Sequence, residues 1–133
     1  MLTRIVAFIV LLASPHLVVA RPSDAQWSRL LIGRWHEFRH DTKFYADGTY
    51  TVDPDEQTGP TGTWRIENGI LIRHFGQQGQ PADSTTNDEI VELTRRLLKI
   101  RILSVEGPGP KVDGLPSKIF VLKRVSESSR SPR

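Results

Sequence analysis

The side chains able to do chemistry in this chain are few, and their spacing favours binding over catalysis. Trp35, Phe44, Tyr50, Trp64 and Ile66 are large and apolar, and together they could line a pocket for an apolar ligand. The same side chains suit a packed core, because large aromatics dominate core burial. His36 and His40 lie four positions apart. On one strand they would share a face about 13 Å apart, too far to ligate one metal. His74 or Glu37 would also have to converge, so no metal is expected. Arg34, His36, Arg39 and His40 form one cationic segment, and Arg95, Arg96, Lys99 and Arg101 a second. Either could hold an anionic head group. Lys99 and Arg101 alternate with Leu98, Ile100 and Ile102, however, as on a solvated outer face. Asp41, Asp47, Asp53, Asp55 and Glu56 sit close in sequence. Asp53-Pro54-Asp55-Glu56 lacks the spacing of a calcium loop, and turn chemistry accounts for these acids. There is no nucleophile elbow, phosphate loop, zincin motif or dinucleotide fingerprint. The Ser, His and Asp spacings do not suggest a triad. No catalytic residue, cofactor or enzymatic activity is expected.

The elements that would position these side chains are short. Ser23-Asp24-Ala25-Gln26 has the form of a capping box, and Trp27, Leu30 and Leu31 share one helical face. The spacing predicts a helix over Asp24–Ile32 that packs against, or plugs, the strands C-terminal to it. Gly33 suits its C-terminus. From there the pattern turns to strands: an extended segment Arg34–His40, then Lys43–Ala46 and Thr49–Asp53 around Asp47-Gly48. Gly62–Glu67 and Ile70–His74 flank Asn68-Gly69. Both dipeptides are strong two-residue hairpin signals, because such turns need positive φ. Trp64 and Ile66 alternate with Thr63, Arg65 and Glu67, the mark of a half-buried strand. Asp88–Thr94 and Leu97–Leu103 form a third hairpin around Arg95-Arg96, and Lys118–Val125 is the last strand. Gly76–Thr86 and Glu106–Pro116 read as long loops. About eight short strands bounded by turns predict an all-β antiparallel sandwich or barrel with one short N-terminal helix.

The chain has 133 residues, no cysteine and a formal charge of +3. Disulfides, thiolate metal sites and a cysteine nucleophile are excluded. The basic residues form no concentrated stripe, so no nucleic-acid partner is expected. Arg4, the apolar run Ile5–Ala13, Pro15 and the small residues before Arg21 match a secretory leader cleaved after Ala20. The run is too short to span a bilayer comfortably. The domain reading is a signal peptide at 1–20, one barrel at 21–125 and a polar, disordered tail at 126–133. The mature protein is expected to be periplasmic or secreted, with no membrane span after cleavage.

Gly33-Arg34-Trp35, Phe44-Tyr45-Ala46-Asp47-Gly48-Thr49-Tyr50, Gly62-Thr63-Trp64-Arg65-Ile66-Glu67-Asn68-Gly69 and Ile90-Val91-Glu92-Leu93-Thr94 occur in that order along the chain. This resembles the small lipocalin-like domain common in bacterial exported proteins. There a G-x-W opens the first strand, D-G-T-Y makes a hairpin, and G-T-W begins a later strand. The resemblance implies an up-and-down antiparallel barrel of the calycin type, with a small hydrophobic ligand in its mouth or interior. The implied function is a non-enzymatic binding protein for an apolar or amphipathic ligand. The alternative is a protein-interaction or inhibitory module, its barrel filled, acting through its loops on an envelope protein. In the binding reading the two long loops gate one end of the barrel.

Overall fold

A computed structural model describes residues 20–56, 59–76, 84–107 and 118–126. The leader up to residue 19, the tail beyond Ser126 and the central parts of both long connections lie outside these residues, and so does their expected gating role.

Helix α1 spans Asp24–Leu31 and begins on the expected capping box. Ser23 Oγ accepts from Gln26 N at 3.2 Å, and Gln26 Oε1 accepts from Ser23 N at 2.9 Å. The helix stops one residue before the expected end because Ile32 turns extended, with ψ 127°. Gly33 is therefore not a helix cap. It opens the first strand with φ 131°, where a Cβ would strike the guanidinium of Arg124.

Among the described residues eight strands complete the regular structure: β1 (Gly33–Glu37), β2 (His40–Phe44), β3 (Thr49–Val52), β4 (Gly62–Glu67), β5 (Ile70–Phe75), β6 (Ser84–Leu93), β7 (Leu97–Glu106) and β8 (Ile119–Arg124). Each pairs antiparallel with the next, and β8 returns to β1 through Trp35↔Arg124 and His36↔Lys123. The result is the expected closed up-and-down barrel with a short N-terminal helix. Closure leaves no sheet edge to be protected.

Three local expectations change. Arg34–His40 is not one strand but a hairpin, with Glu37 opposite His40. Its turn, Phe38-Arg39, carries positive φ (49°) on a phenylalanine, so no glycine or asparagine announced it. At Asp47-Gly48 only Gly48 has positive φ (85°). Gly48 N donates to Tyr45 O at 3.1 Å and Tyr45 N to Thr49 O at 2.9 Å, which makes a longer loop with a glycine bulge. Asp47 instead holds the turn through its carboxylate, which accepts from Thr49 N and Oγ1 at 2.9 and 2.7 Å. At Asn68-Gly69 both residues do have positive φ (50° and 74°). The third change is that β6 begins at Ser84, within a stretch expected to be loop.

Gly62 shows why its strand needs glycine. A Cβ there would sit 1.9 Å from the carbonyl oxygen of His74 on β5.

The helix covers the end of the barrel formed by the β2–β3, β4–β5 and β6–β7 turns. Asp24 accepts from Asn68 N and Gly69 N at 2.7 and 2.9 Å, which ties the start of α1 to the β4–β5 turn. Trp27 and Leu31 point into one buried cluster with Trp35, Leu93, Leu98 and Leu122. Arg124 secures the other end of α1. Its guanidinium donates to the Leu30 and Ile32 carbonyls and lies 4.2 Å over the ring of Trp35. Those carbonyls would otherwise lack partners at the helix end.

Candidate binding site inside the barrel

In an antiparallel pair, directly opposed residues share a face, and successive residues on a strand alternate faces. Gly33, Trp35 and Glu37 on β1 therefore face the interior with Phe44, Thr42 and His40 opposite. Tyr50 on β3 joins them across from Phe44 and Gly62. Trp64 and Ile66 face inward from β4, opposite Arg73 and Leu71 on β5.

Trp35, Phe44, Tyr50, Trp64 and Ile66 thus all reach one interior wall, and all are buried. Phe44 stands edge-on to Trp64, with centroids 5.7 Å apart, and 5.9 Å from Tyr50. Both interior indoles already donate to backbone carbonyls: Trp35 Nε1 to Leu31 O at 2.8 Å and Trp64 Nε1 to Tyr45 O at 3.1 Å. These five residues supply apolar surface, and their indole N–H groups are taken by the protein itself.

The polar part of the interior is one that sequence reasoning missed. Asp88 on β6 lies opposite Leu71 and Ile102, so it faces inward. Its side chain has no exposed surface. Arg73 Nε donates to Asp88 Oδ2 at 2.8 Å, while Asp88 Oδ1 has no partner among the described residues. Burial pushes the Asp88 carboxyl above the usual range, against the charge and hydrogen bond of Arg73. Glu37 is also raised by burial, with Arg73 and His40 opposing and Asp88 adding to the rise. Tyr50 is raised by burial within range of Arg73 and Asp88. Two acids, a guanidinium and a phenol share this part of the wall.

Their placement has a consistent order. Moving away from α1, β1 runs from Trp35 to Glu37, β5 from Leu71 to Arg73, and β6 from Leu93 through Ile90 to Asp88. On each strand the buried apolar residue comes first and the charged one lies beyond it. The signal in the sequence was parity: Glu37, Arg73 and Asp88 occupy inward positions that alternation assigns to apolar residues.

Outside the barrel and, for His40, at its rim, the first cationic segment and the acidic cluster largely neutralise one another. Arg34 pairs with Asp41 at 2.5 Å and with Asp55 at 2.9 Å. His36 Nδ1 meets Asp41 at 2.5 Å, and His40 Nδ1 meets Asp53 at 2.8 Å. Burial works upward on Asp41, but its hydrogen bonds with His36 and Arg34 hold it below the usual carboxylate range. Asp53 is lowered first by its hydrogen bond with His40 and then by the Asp41 N–H. His36 and His40 do not share a face, because the turn at Phe38 puts them on neighbouring strands with opposite parity. No group of three or more His, Asp or Glu suited to a metal occurs among the described residues. Lys99 and Arg101 point outward as alternation predicts, paired with Glu92 at 3.1 Å and Glu89 at 3.0 Å.

Fold and interior together define the class: an eight-stranded, closed, all-antiparallel up-and-down β-barrel with a helix over one end. No family model, curated protein or solved structure matches the chain. No helix among the described residues is long and apolar enough to cross a membrane.

Proposed function

We propose that this protein is an exported, non-enzymatic, lipocalin-like binding protein that takes one small amphipathic ligand through the end of the barrel away from α1. The observation that carries the reading is the Arg73–Asp88 pair on the inner wall. A barrel that only needed filling gains little from a buried ion pair, since apolar residues of similar volume often serve as well. A few polar groups set in an apolar wall are what orients a ligand. Trp64 and Ile66 would contact the apolar body of that ligand, and Arg73 its polar end. The leader-like segment supports export.

A second reading, as a protein-interaction module, is favoured by one feature. Val91, Leu103, Ile119 and Val121 are exposed on β6–β8. Native mass spectrometry of the protein purified from its own source separates the two. A retained small molecule is expected, and a stoichiometric protein partner with no small molecule would overturn the binding reading. Intact-mass analysis of the same sample tests export, with cleavage after Ala20 expected and an intact Met1 contradicting it.

A further inference from the structure

The head group that the inner wall fits can be read from its charges. Arg73 carries five N–H donors in a planar fork. Its Nε–H goes to Asp88, and no other partner of Arg73 occurs among the described residues. Four donors therefore remain, and the side chain keeps 22% of its surface exposed. Beside them lies Asp88 Oδ1, an acceptor with no donor among the described residues. Glu37 adds a second carboxyl within electrostatic range of both. The wall thus offers donors and acceptors side by side.

Its net charge is the deciding feature. The positive charge of Arg73 is already matched by Asp88 in direct contact. An incoming carboxylate would have to shed its water to reach a site whose net charge is zero, or negative once Glu37 is counted, because His40 opposite Glu37 is itself matched by Asp53. Burying a charge without a matching counter-charge costs far more than burying a neutral polar group that finds its hydrogen bonds. An incoming ammonium would find the acids but would also meet Arg73. A neutral group that both accepts and donates meets neither penalty.

Resting on the reading of this barrel as a binder, we infer that its ligand is an uncharged amphiphile with a hydrogen-bonding head, an alkyl amide or alcohol, and not a fatty acid. The head accepts from the terminal nitrogens of Arg73 and donates to a carboxyl of Asp88 or Glu37. Asp88 acts as a selectivity element, because it cancels the charge that would otherwise draw in an anion. Replacing it with the isosteric amide uncovers that charge.

The test is isothermal titration of the full-length mature chain at neutral pH with octanamide, 1-octanol and octanoate. On the wild type, octanamide and octanol should bind at least tenfold more tightly than octanoate. In Asp88→Asn the order should reverse, with octanoate binding at least tenfold more tightly than before. Glu37→Gln, at the strand end, removes an acid without touching the ion pair. It should tighten octanoate about threefold, and it serves if Asp88→Asn does not fold. Octanoate binding tightest to the wild type, or showing no gain in the folded variants, overturns the head-group inference and leaves the binding reading intact. Absence of saturable binding by all three overturns both.

Discussion

Arg73 Nε lies 2.8 Å from Oδ2 of Asp88, a carboxyl with no exposed surface on the inner wall of the barrel. The two residues come from neighbouring strands, β5 and β6, and both sit at inward positions. Removing the guanidinium leaves Asp88 buried without its counter-charge. Arg73→Met should therefore cost about 3–5 kcal/mol at neutral pH. The cost should shrink in acid, where Asp88 is neutral and needs no partner. Urea unfolding of both proteins at about pH 7 and pH 4 checks this, and an equal loss at both values would show that Asp88 does not depend on Arg73.

The direction of the pH dependence in the wild type comes from the same residues. Asp88 and Glu37 are both raised by burial. Between the ordinary carboxylate value near 4 and their raised values, the folded state holds more protons than the unfolded state. Their contribution to stability therefore falls as pH rises through that window. Asp41 is lowered, so its contribution is present above the ordinary value and is lost as pH falls through the depressed one. Asp88→Asn should flatten the upper window and leave the lower one unchanged, which unfolding midpoints measured across pH would reveal.

Arg124 joins three parts of the fold: the last turn of α1, the ring of Trp35 and the Arg95 carbonyl. A lysine keeps the charge but has neither the planar fork nor the stacking surface. Arg124→Lys should lower stability by about 1–2 kcal/mol, since it weakens the hydrogen bonds to the helix-end carbonyls and loses a stacked contact. Thermal melts would measure this. A loss within about 0.5 kcal/mol would mean that α1 docks through its apolar face alone.

Phe38 is 85% exposed and has φ 49°. A left-handed non-glycine residue costs roughly 1–2 kcal/mol, and glycine's extra chain entropy returns roughly 0.5–1 of that. Phe38→Gly should therefore raise stability by about 0.5–1 kcal/mol. A destabilised variant would show that Phe38 makes contacts worth more than its strain.

Trp64 supplies the opposite case, a residue at the centre of packing with its indole held by the Tyr45 carbonyl. Trp64→Ala should cost about 3–5 kcal/mol. A loss below about 1 kcal/mol would remove it from the core.

The barrel was legible because most of its strands are short runs bounded by turn residues. Asn68-Gly69 and the Trp64/Ile66 alternation locate the β4–β5 hairpin closely. The β1–β2 hairpin was hidden because Phe38 adopts a backbone conformation usually left to glycine or asparagine. That one missed turn also reversed the relation of His36 and His40, since a hairpin changes which residues share a face. The apolar half of the interior was readable from aromatic content. The polar half showed only as inward parity, because Arg73, Asp88 and Glu37 lie far apart in sequence and each alone resembles a solvated strand residue. Only the register of β5 against β6, set by side-chain packing around the barrel, brings Arg73 and Asp88 together.

The proposed ligand would seat against the inner wall near Arg73 and Asp88. The most direct measurement is a titration of the isotopically labelled protein with octanamide, monitored by two-dimensional NMR. Saturable shifts should concentrate at Glu37, Trp64, the Arg73 side-chain Nε–H and Asp88. Shifts confined to the outer wall around Val91 and Val121, or none at all, would contradict it.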